Sequence, residues 1–192
     1  KLMKFPRVAL GTNASPYSGV GSGSTVSGYT IKASGEYSNS PTFYASRAFS
    51  SYPDTWITNS TAYTGATGLP VVNSANVTKF GQEGSWLEIK LPNKILLNYT
   101  QIFSRPDSPT ERNDTADIWA SNTGNDGDWV KLTTINFNDT YTHIIPMVAD
   151  IDTQAYYEYF AIQITKLGWT NNTFTYGNIG EWELYGIPEY DP

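Results

Sequence analysis

Alternating apolar and polar residues recur in short segments of this chain, and this pattern limits the fold more than any other feature. The clearest segments are WLEIKL (86–91) and YEYFAIQIT (157–165). Their alternate apolar positions are Leu87, Ile89, Leu91, Phe160, Ile162 and Ile164. Successive side chains of a β-strand point to opposite faces, so each segment predicts a strand with one face in a core. Several such strands between turn clusters favour a β-sandwich or a barrel.

Helical signals are nearly absent. No segment keeps a helical period for ten residues, and the one helical turn that we predict is ASRAF (Ala45–Phe49). The composition agrees with an all-β protein, because aromatic residues make up 15% of the chain and Tyr, Trp and Thr favour half-buried sheet surfaces.

Charge and length exclude several classes of protein. A net charge of −6 without a Lys/Arg cluster argues against a nucleic-acid partner. No apolar run approaches the roughly 20 residues that span a bilayer, so we expect no membrane span. The chain has no Cys, and its 192 residues suffice for one domain. We predict a Gly/Ser-rich leader or linker at 1–28, a β-sandwich domain at 29–188 and a short tail at 189–192.

The segment NTGNDGDWVKL (122–132) has the composition of a calcium-binding loop but not its spacing. An EF-hand loop needs a bidentate Glu at its twelfth position, and with Gly127 at the sixth position the twelfth is Thr133. We therefore interpret the segment as a hairpin connection with Asp126 and Gly127 in the turn. Trp129 then starts the next strand as a packing residue rather than a sugar-stacking one.

Five segments, in order, carry a resemblance to a known family. They are ASRAFSSYPDTW (45–56), WLEIKLPNKILL (86–97), SNTGNDGDWVKL (121–132), YEYFAIQIT (157–165) and IGEWELYG (179–186). In this order they resemble the discoidin family of coagulation-factor C-type, galactose-binding-like domains. The resemblance implies an all-β fold, an eight-stranded antiparallel jelly-roll β-sandwich, with variable loops at the end opposite the termini. The leader is also similar to leaders that precede such domains in structural proteins of large algal viruses.

The resemblance implies a structural Ca²⁺ as well. By position, its ligands would be the Phe49 carbonyl, Asp54, Thr55 and Glu181. Two departures from the family pattern weaken the predicted calcium ligands or the resemblance as a whole. Ser50 stands where the family has an Asp ligand, and the Cys pair of many extracellular members is missing.

Catalysis is not expected. The chain has one His, His143, and no Cys, and His143 lies in an alternating segment without a nucleophile elbow. Glycoside hydrolysis needs two carboxylates at a defined separation, and the candidates in the acidic stretch 107–117 and at Glu181 and Glu183 are better explained as solvated or structural groups. We therefore predict a non-catalytic protein.

Aromatic residues in polar loops are the best sign of a ligand site. Sugars present C–H faces that stack on rings, while planar polar side chains pair with their hydroxyls. The resemblance brings three loops, 58–68, 104–112 and 168–177, to one end. The predicted ligand-binding residues are Tyr63, Arg105, Arg112, Trp169, Asn171, Phe174 and Tyr176. For Arg105 a surface ion pair with Asp107 is an equal alternative.

Seven Asn-x-Ser/Thr sequences suggest exposed segments and, as one of two explanations, a glycosylated surface protein. They begin at Asn13, Asn59, Asn76, Asn98, Asn113, Asn138 and Asn171. Together these features predict an extracellular, cell-surface or virion-surface module that binds a glycan or glycoprotein. The alternative is a structural subunit or decoration protein of a virion, fibre or surface layer, with the leader adding a strand to another copy.

Overall fold

The computed structural model describes residues 1–11, 23–26, 28–108, 110–168 and 174–190. All strand pairs in these residues are antiparallel, and they form two sheets and one short α-helix. The strands are β1 (Met3–Phe5), β2 (Gly23–Val26), β3 (Tyr29–Ala33), β4 (Trp56–Ile57), β5 (Trp86–Phe103), β6 (Asn113–Ser121), β7 (Val130–Asn136), β8 (Met147–Asp150), β9 (Tyr157–Leu167), β10 (Asn178–Ile179) and β11 (Glu181–Pro188). The antiparallel all-β prediction is confirmed, with eleven strands in the described residues rather than eight.

The long strand β5 belongs to both layers of the sandwich. Its first part pairs with β3 and β9, and its second part pairs with β11 and β8. The register with β9 is interrupted between Lys90 and Ile95. Pro92 lies in that interval, and a proline has no N–H to give to a sheet ladder. One layer therefore contains β2, β3, β9, β6 and β7, and the other contains β1, β11 and β8, with β5 shared.

The core lies between these layers, and the alternating pattern builds it. The predicted inward positions of β5 and β9 are all 0% exposed: Leu87, Ile89, Leu91, Phe160, Ile162 and Ile164. Trp182 and Leu184 of β11 close the core from the other layer, both also fully buried. Burial of large apolar side chains at about 1.5–3 kcal/mol each is the main favourable contribution to the stability of such a sandwich.

Register places the variable loops at one end. Ala33 pairs with Leu87, Trp86 with Gln163, Asn113 with Leu167 and Phe103 with Glu181, so the segments that follow or precede these residues leave the sheets together. Their described residues include 34–44, 104–108, 110–112, 168 and 174–177. Segment 58–68 lies with them, because the Tyr63 N–H donates to the Thr175 carbonyl over 2.9 Å. We call this side of the molecule the loop end. The described residues near the two chain termini pair at the other half of β11.

One helix that the sequence did not predict covers the outer face of the first layer. This helix, α1 (Ser74–Phe80), is only seven residues long. The Asn73 side chain accepts a hydrogen bond from the Ala75 N–H at its start, and Gly81 ends it in the left-handed conformation at φ 78°. Among the described residues, no helix has the length and apolar composition that crossing a membrane requires. The predicted turn at Ala45–Phe49 is a 3-10 helix.

Under α1 lies a second apolar cluster with a buried ion pair. Phe80 packs with Trp86, Trp119 and Trp129, all less than 9% exposed. The Lys79 ammonium lies 4.3 Å from the centre of the Trp86 ring and 2.7 Å from the Glu88 carboxylate. The packing role predicted for Trp129 is therefore confirmed.

The connection before Trp129 spans two positive-φ glycines. Gly124 and Gly127 have φ values of 71° and 79°, which only glycine adopts without strain. Gly127 thus provides the left-handed residue that the sequence predicted, within a longer connection between β6 and β7 than a two-residue hairpin.

The described part of the leader lies in the sheet rather than apart from it. Strand β1 pairs with β11 and β2 pairs with β3. Phe5 and Leu10 are buried in the main core, and the Leu10 N–H donates to the Phe49 carbonyl over 2.9 Å. The leader or linker at 1–28 stays a prediction. Because these strands pair within the chain, strand addition to a second copy gains no support.

Candidate functional site

Four half-buried aromatic rings form a connected group at the loop end. The Tyr176 ring lies 5.2 Å from the Tyr37 ring and 5.6 Å from the Phe174 ring, and Tyr37 lies 5.5 Å from Phe43. All three contacts are edge-to-face, the geometry that the charge distribution of aromatic rings favours. We call Tyr37, Phe43, Phe174 and Tyr176 the aromatic run. It joins two loops that are more than 130 residues apart in the sequence.

A charged group lies against the aromatic run. Arg105 donates through Nη1 to Glu111 over 2.8 Å and through Nε and Nη2 to the two Asp107 oxygens over 2.7 Å each. The Tyr176 hydroxyl donates to the other Glu111 oxygen over 3.4 Å. Arg105 and Glu111 are 6% and 8% exposed. The guanidinium is thus occupied on both sides, and Arg105 holds the 104–112 loop under Tyr176.

Burial changes the acidity of this group. Desolvation raises the pKa of Glu111 and outweighs the opposing effect of the Arg105 charge. Desolvation, reinforced by the Glu111 carboxylate, raises the pKa of Tyr176 to about 12. The Tyr176 hydroxyl therefore keeps its proton at neutral pH and remains a hydrogen-bond donor.

Arg112 lies beside a separate cavity at the loop end. The cavity has a volume of about 350 Å³ and is lined partly by Arg112, Asp114, Asp139 and Gly168. The Arg112 guanidinium lies over the Tyr141 ring at 5.9 Å and donates to the Asp139 carbonyl. Arg112 is thus not part of the Arg105–Glu111 group, although the two arginines leave neighbouring points of one loop.

Tyr63 is a correction to the predicted ligand set. It is 1% exposed, its hydroxyl donates to the Ile164 carbonyl over 2.8 Å, and it accepts the Ser85 N–H over 3.1 Å. Tyr63 therefore joins a loop to the core and presents no surface to a ligand. Two other predicted residues, Trp169 and Asn171, lie outside the described residues.

The residues predicted to bind calcium do not fit that ion. Ca²⁺ takes six to eight oxygen ligands, with carboxylates among them. The Phe49 carbonyl already accepts the Leu10 N–H, and Asp54 pairs with Arg47 over 2.9 Å. Thr55 Oγ1 is buried without a partner, so it alone is unengaged. No group of three or more His, Cys, Asp or Glu side chains that could hold a metal occurs in the described ranges.

Glu181 has a different role in this structure. Its two carboxyl oxygens accept the backbone N–H groups of Ser50 and Ser51 over 3.2 and 3.1 Å. Burial raises its pKa from 4.5 to about 9, despite those hydrogen bonds. The carboxyl ties the loop after Phe49 to β11 through these two hydrogen bonds.

The remaining candidates for catalysis are dispersed or engaged. Asp117 accepts the Thr134 hydroxyl and pairs with Lys131 on the outer face of the sheet, away from the loop end. Glu183 pairs with Lys4 and accepts the Tyr185 hydroxyl. Both carboxylates therefore have partners within the chain.

Exposure divides the predicted glycosylation sites. Asn59, Asn98 and Asn138 are exposed and stay predictions. Asn76 and Asn113 are only 6% and 3% exposed, so the prediction that they lie in exposed segments is wrong. Asn76 accepts a hydrogen bond from the Trp86 indole, and Asn113 donates one to the Asn178 carbonyl. The other two predicted asparagines, Asn13 and Asn171, fall outside the described ranges.

Sequence reasoning missed half of the aromatic run. Tyr37 and Phe43 lie in the segment YSNSPTF, whose 3-10 turns bring both rings toward Tyr176. The signal was present, since aromatic residues interrupt a Ser-, Asn- and Pro-rich stretch of the kind that forms surface loops.

Solved structures share this fold. The chain matches the family 32 carbohydrate-binding module of Clostridium perfringens NanJ, solved in complex with galactose, with a TM-score of 0.57 and 16% identity over 83% of this chain and 94% of that one. It matches the C-terminal domain of a Bacteroides fragilis chitobiase with a TM-score of 0.60 and 11% identity over 88% and 99%. Chitosan-binding module 1 of a Paenibacillus sp. IK-5 chitosanase/glucanase matches with a TM-score of 0.56 and 19% identity over 82% of this chain and 93% of that one.

No protein-family model and no curated protein sequence matches this chain. The identities to the solved structures are low, so these similarities establish the fold alone. The sandwich inferred from the five sequence segments is therefore confirmed, and it is the sandwich that family 32 carbohydrate-binding modules have.

Proposed function

We propose that this protein is a non-catalytic, extracellular carbohydrate-binding module whose ligand site lies at the loop end. The observation that carries the proposal is the aromatic run of Tyr37, Phe43, Phe174 and Tyr176, half-exposed beside a fixed Arg105–Glu111 pair. Rings of this kind offer apolar surface to the C–H face of a sugar, and neighbouring polar groups bond to its hydroxyls.

The polar part of the site supports the same reading. The Tyr176 hydroxyl oxygen, whose proton goes to Glu111, and the exposed Asp107 carboxylate supply acceptors next to the rings. Arg112, in its own 350 Å³ cavity, adds planar donors within the same loop cluster. Trp169 and Asn171 belong to the same loop as Phe174 in the sequence and remain predicted members of the site.

Fold neighbours support the ligand class. A carbohydrate-binding module solved with galactose and a chitosan-binding module have this sandwich. The structural-subunit alternative includes a leader that adds a strand to another copy, whereas β1 and β2 pair within the chain. No observation on the described residues favours that alternative over sugar binding.

A glycan array followed by calorimetry tests the proposal. We expect binding to a set of terminal sugars, with Tyr176→Ala weakening it about tenfold, which corresponds to 1.4 kcal/mol. Phe174→Ala and Arg112→Ala should weaken it too. Tyr190→Ala is the matched control, since Tyr190 is 70% exposed and lies beyond the end of β11, away from the loop end. Equal binding by all variants would place the site elsewhere, and an array without any bound sugar would refute the proposal.

A further inference from the structure

A polar groove runs from the loop end along the side of the sandwich. It consists of three adjoining cavities of about 290, 210 and 530 Å³. The first two share Asn59 and Thr61, and the second and third share Ser34, Asn73 and Asn76. We call this feature the side groove. The largest cavity alone falls within the roughly 300–1,000 Å³ of typical ligand clefts.

Amide groups with unused hydrogen-bonding capacity line the side groove. Asn73 and Asn76 each use their carbonyl oxygen, for the Ala75 N–H and the Trp86 indole, while their NH₂ groups have no described partner. The side chains of Asn59 and Asn125 make no hydrogen bond to a described residue. A carboxamide both donates and accepts hydrogen bonds, so these four groups can pair with sugar hydroxyls and acetamido groups.

The charges along the side groove are nearly balanced. Lys79, at its base, is neutralised by Glu88 at 2.7 Å. Lys32 lines the same cavity as Asp126 and forms no ion pair within the described ranges. Glu36 in the first cavity accepts the Ala45 N–H. The groove therefore has charges of both signs and no cluster of either, which favours a neutral ligand over a strongly charged one.

The side groove begins at the aromatic run. Glu36 and Ser38, which flank Tyr37 in the chain, line its first cavity. Its far end is formed by α1 and the 124–126 connection. Because Tyr37 lies between two lining residues of the first cavity, a ligand with one unit on the rings can place its next units in that cavity.

We infer that the side groove binds the chain of a linear, neutral polysaccharide whose end is held by the aromatic run. This inference rests on the proposed function and extends it from recognition of a terminal sugar to recognition of a polymer. The asparagines of the groove hold successive sugar units, and affinity grows with the number of units.

Side-chain amide signals in NMR report on the groove directly. We would titrate the protein with galactose, N-acetylglucosamine, and hexamers of β-1,4-linked N-acetylglucosamine and of β-1,4-linked glucose. The hexamers should shift the NH₂ signals of Asn59, Asn73 and Asn125, whereas single sugars should shift only signals at the loop end. Calorimetry should show at least a tenfold gain in affinity from the dimer to the hexamer of the preferred series.

Three variants separate the groove from the loop end. The double variant Asn59→Ala/Asn125→Ala removes side chains without described partners, so folding should be unaffected. Gly35→Ala is subtler, because its methyl group would lie 2.4 Å from the Asn59 amide atoms and would push that flexible side chain away. Both should abolish the gain with chain length and keep single-sugar binding. Asn98→Ala, an exposed asparagine of β5 outside the groove, is the control.

The outcomes distinguish the two proposals. The groove inference would be overturned if hexamers left the three NH₂ signals unchanged, or if the double variant kept the gain in affinity with chain length. Shifts caused by single sugars at the loop end would still uphold the proposed function. Shifts confined to the groove would reject the loop end as the site. Absence of any sugar-induced shift would overturn both.

Discussion

Replacing Glu181 by Gln should change how the stability of this protein depends on pH. The Glu181 carboxyl is 2% exposed and accepts the N–H groups of Ser50 and Ser51, with no cation paired to it among the described residues. Its burial raises its pKa from 4.5 to about 9. A glutamine at this position is neutral at every pH, so the substitution removes one titration. Its NH₂ group cannot accept the second backbone N–H, and this loss of stability is the same at every pH.

The sign of the effect follows from the raised pKa. A carboxyl with a higher pKa in the folded state binds its proton more tightly there, so its contribution to stability is complete below pH 4.5 and is lost as pH rises toward 9. Over this interval, each rise of one pH unit lowers the free energy of unfolding by about 1.4 kcal/mol. Between pH 5 and pH 8 the free energy of unfolding of the wild type should therefore fall by about 4 kcal/mol relative to Glu181→Gln. That is a large part of the roughly 5–15 kcal/mol of a typical domain.

Urea unfolding at several pH values, followed by tryptophan fluorescence, measures this difference, since Trp182 is fully buried next to Glu181. Asp152→Asn, which removes the same charge from an exposed position, controls for the net charge. Parallel pH profiles of the wild type and Glu181→Gln would refute the reasoning. A rise in wild-type stability with millimolar calcium, absent in Glu181→Gln, would show that Glu181 binds the ion after all.

Three further substitutions test other parts of the structure. Gly68→Ala should destabilise by ~2 kcal/mol or more beyond Gly81→Ala in urea unfolding, because both have positive φ but only at Gly68 would the new Cβ lie 2.5 Å from a backbone oxygen; equal losses would contradict this. Tyr63→Phe should cost about 1–3 kcal/mol of stability through its two buried hydrogen bonds and leave sugar affinity unchanged, whereas a loss of affinity in calorimetry would return Tyr63 to the ligand site. Glu88→Gln should lower the free energy of unfolding by about 3–5 kcal/mol, because it leaves the Lys79 charge buried and unpaired. Adding Lys79→Met should recover most of this loss. If it does not, the broken ion pair is not the cause.

The alternating segments predicted the core because their physics is local. In β5 and β9 the period of two fixes which side chains face inward, and those positions are all fully buried. The exposure of the opposite face depends on which other elements pack against it. Trp86 and Glu88 were predicted to point away from the core, and they do, but both are less than 4% exposed because α1 covers them.

Loop residues were harder to place because their direction depends on distant parts of the chain. Tyr63 and Tyr176 both lie in polar loops that the sequence assigned to the ligand site. The first turns inward because the Ile164 carbonyl, 101 residues away, accepts its hydroxyl proton, while the second is held at the surface by Glu111. Composition distinguishes neither case, since both loops are rich in Thr and Asn.

The helix that the sequence did not predict is also what shapes the inferred groove. Seven residues are too few for a helical period to stand out, and α1 is stable because Phe80 packs among three tryptophans rather than through its own propensity. Its residues, together with Asn73, line the second and third cavities of the side groove. A sandwich without α1 would expose Trp86 and Glu88 and would lack the walls that α1 gives to the two deeper cavities of the side groove. The inferred polymer recognition along this face therefore depends on a short element added to a common fold and not on the fold itself.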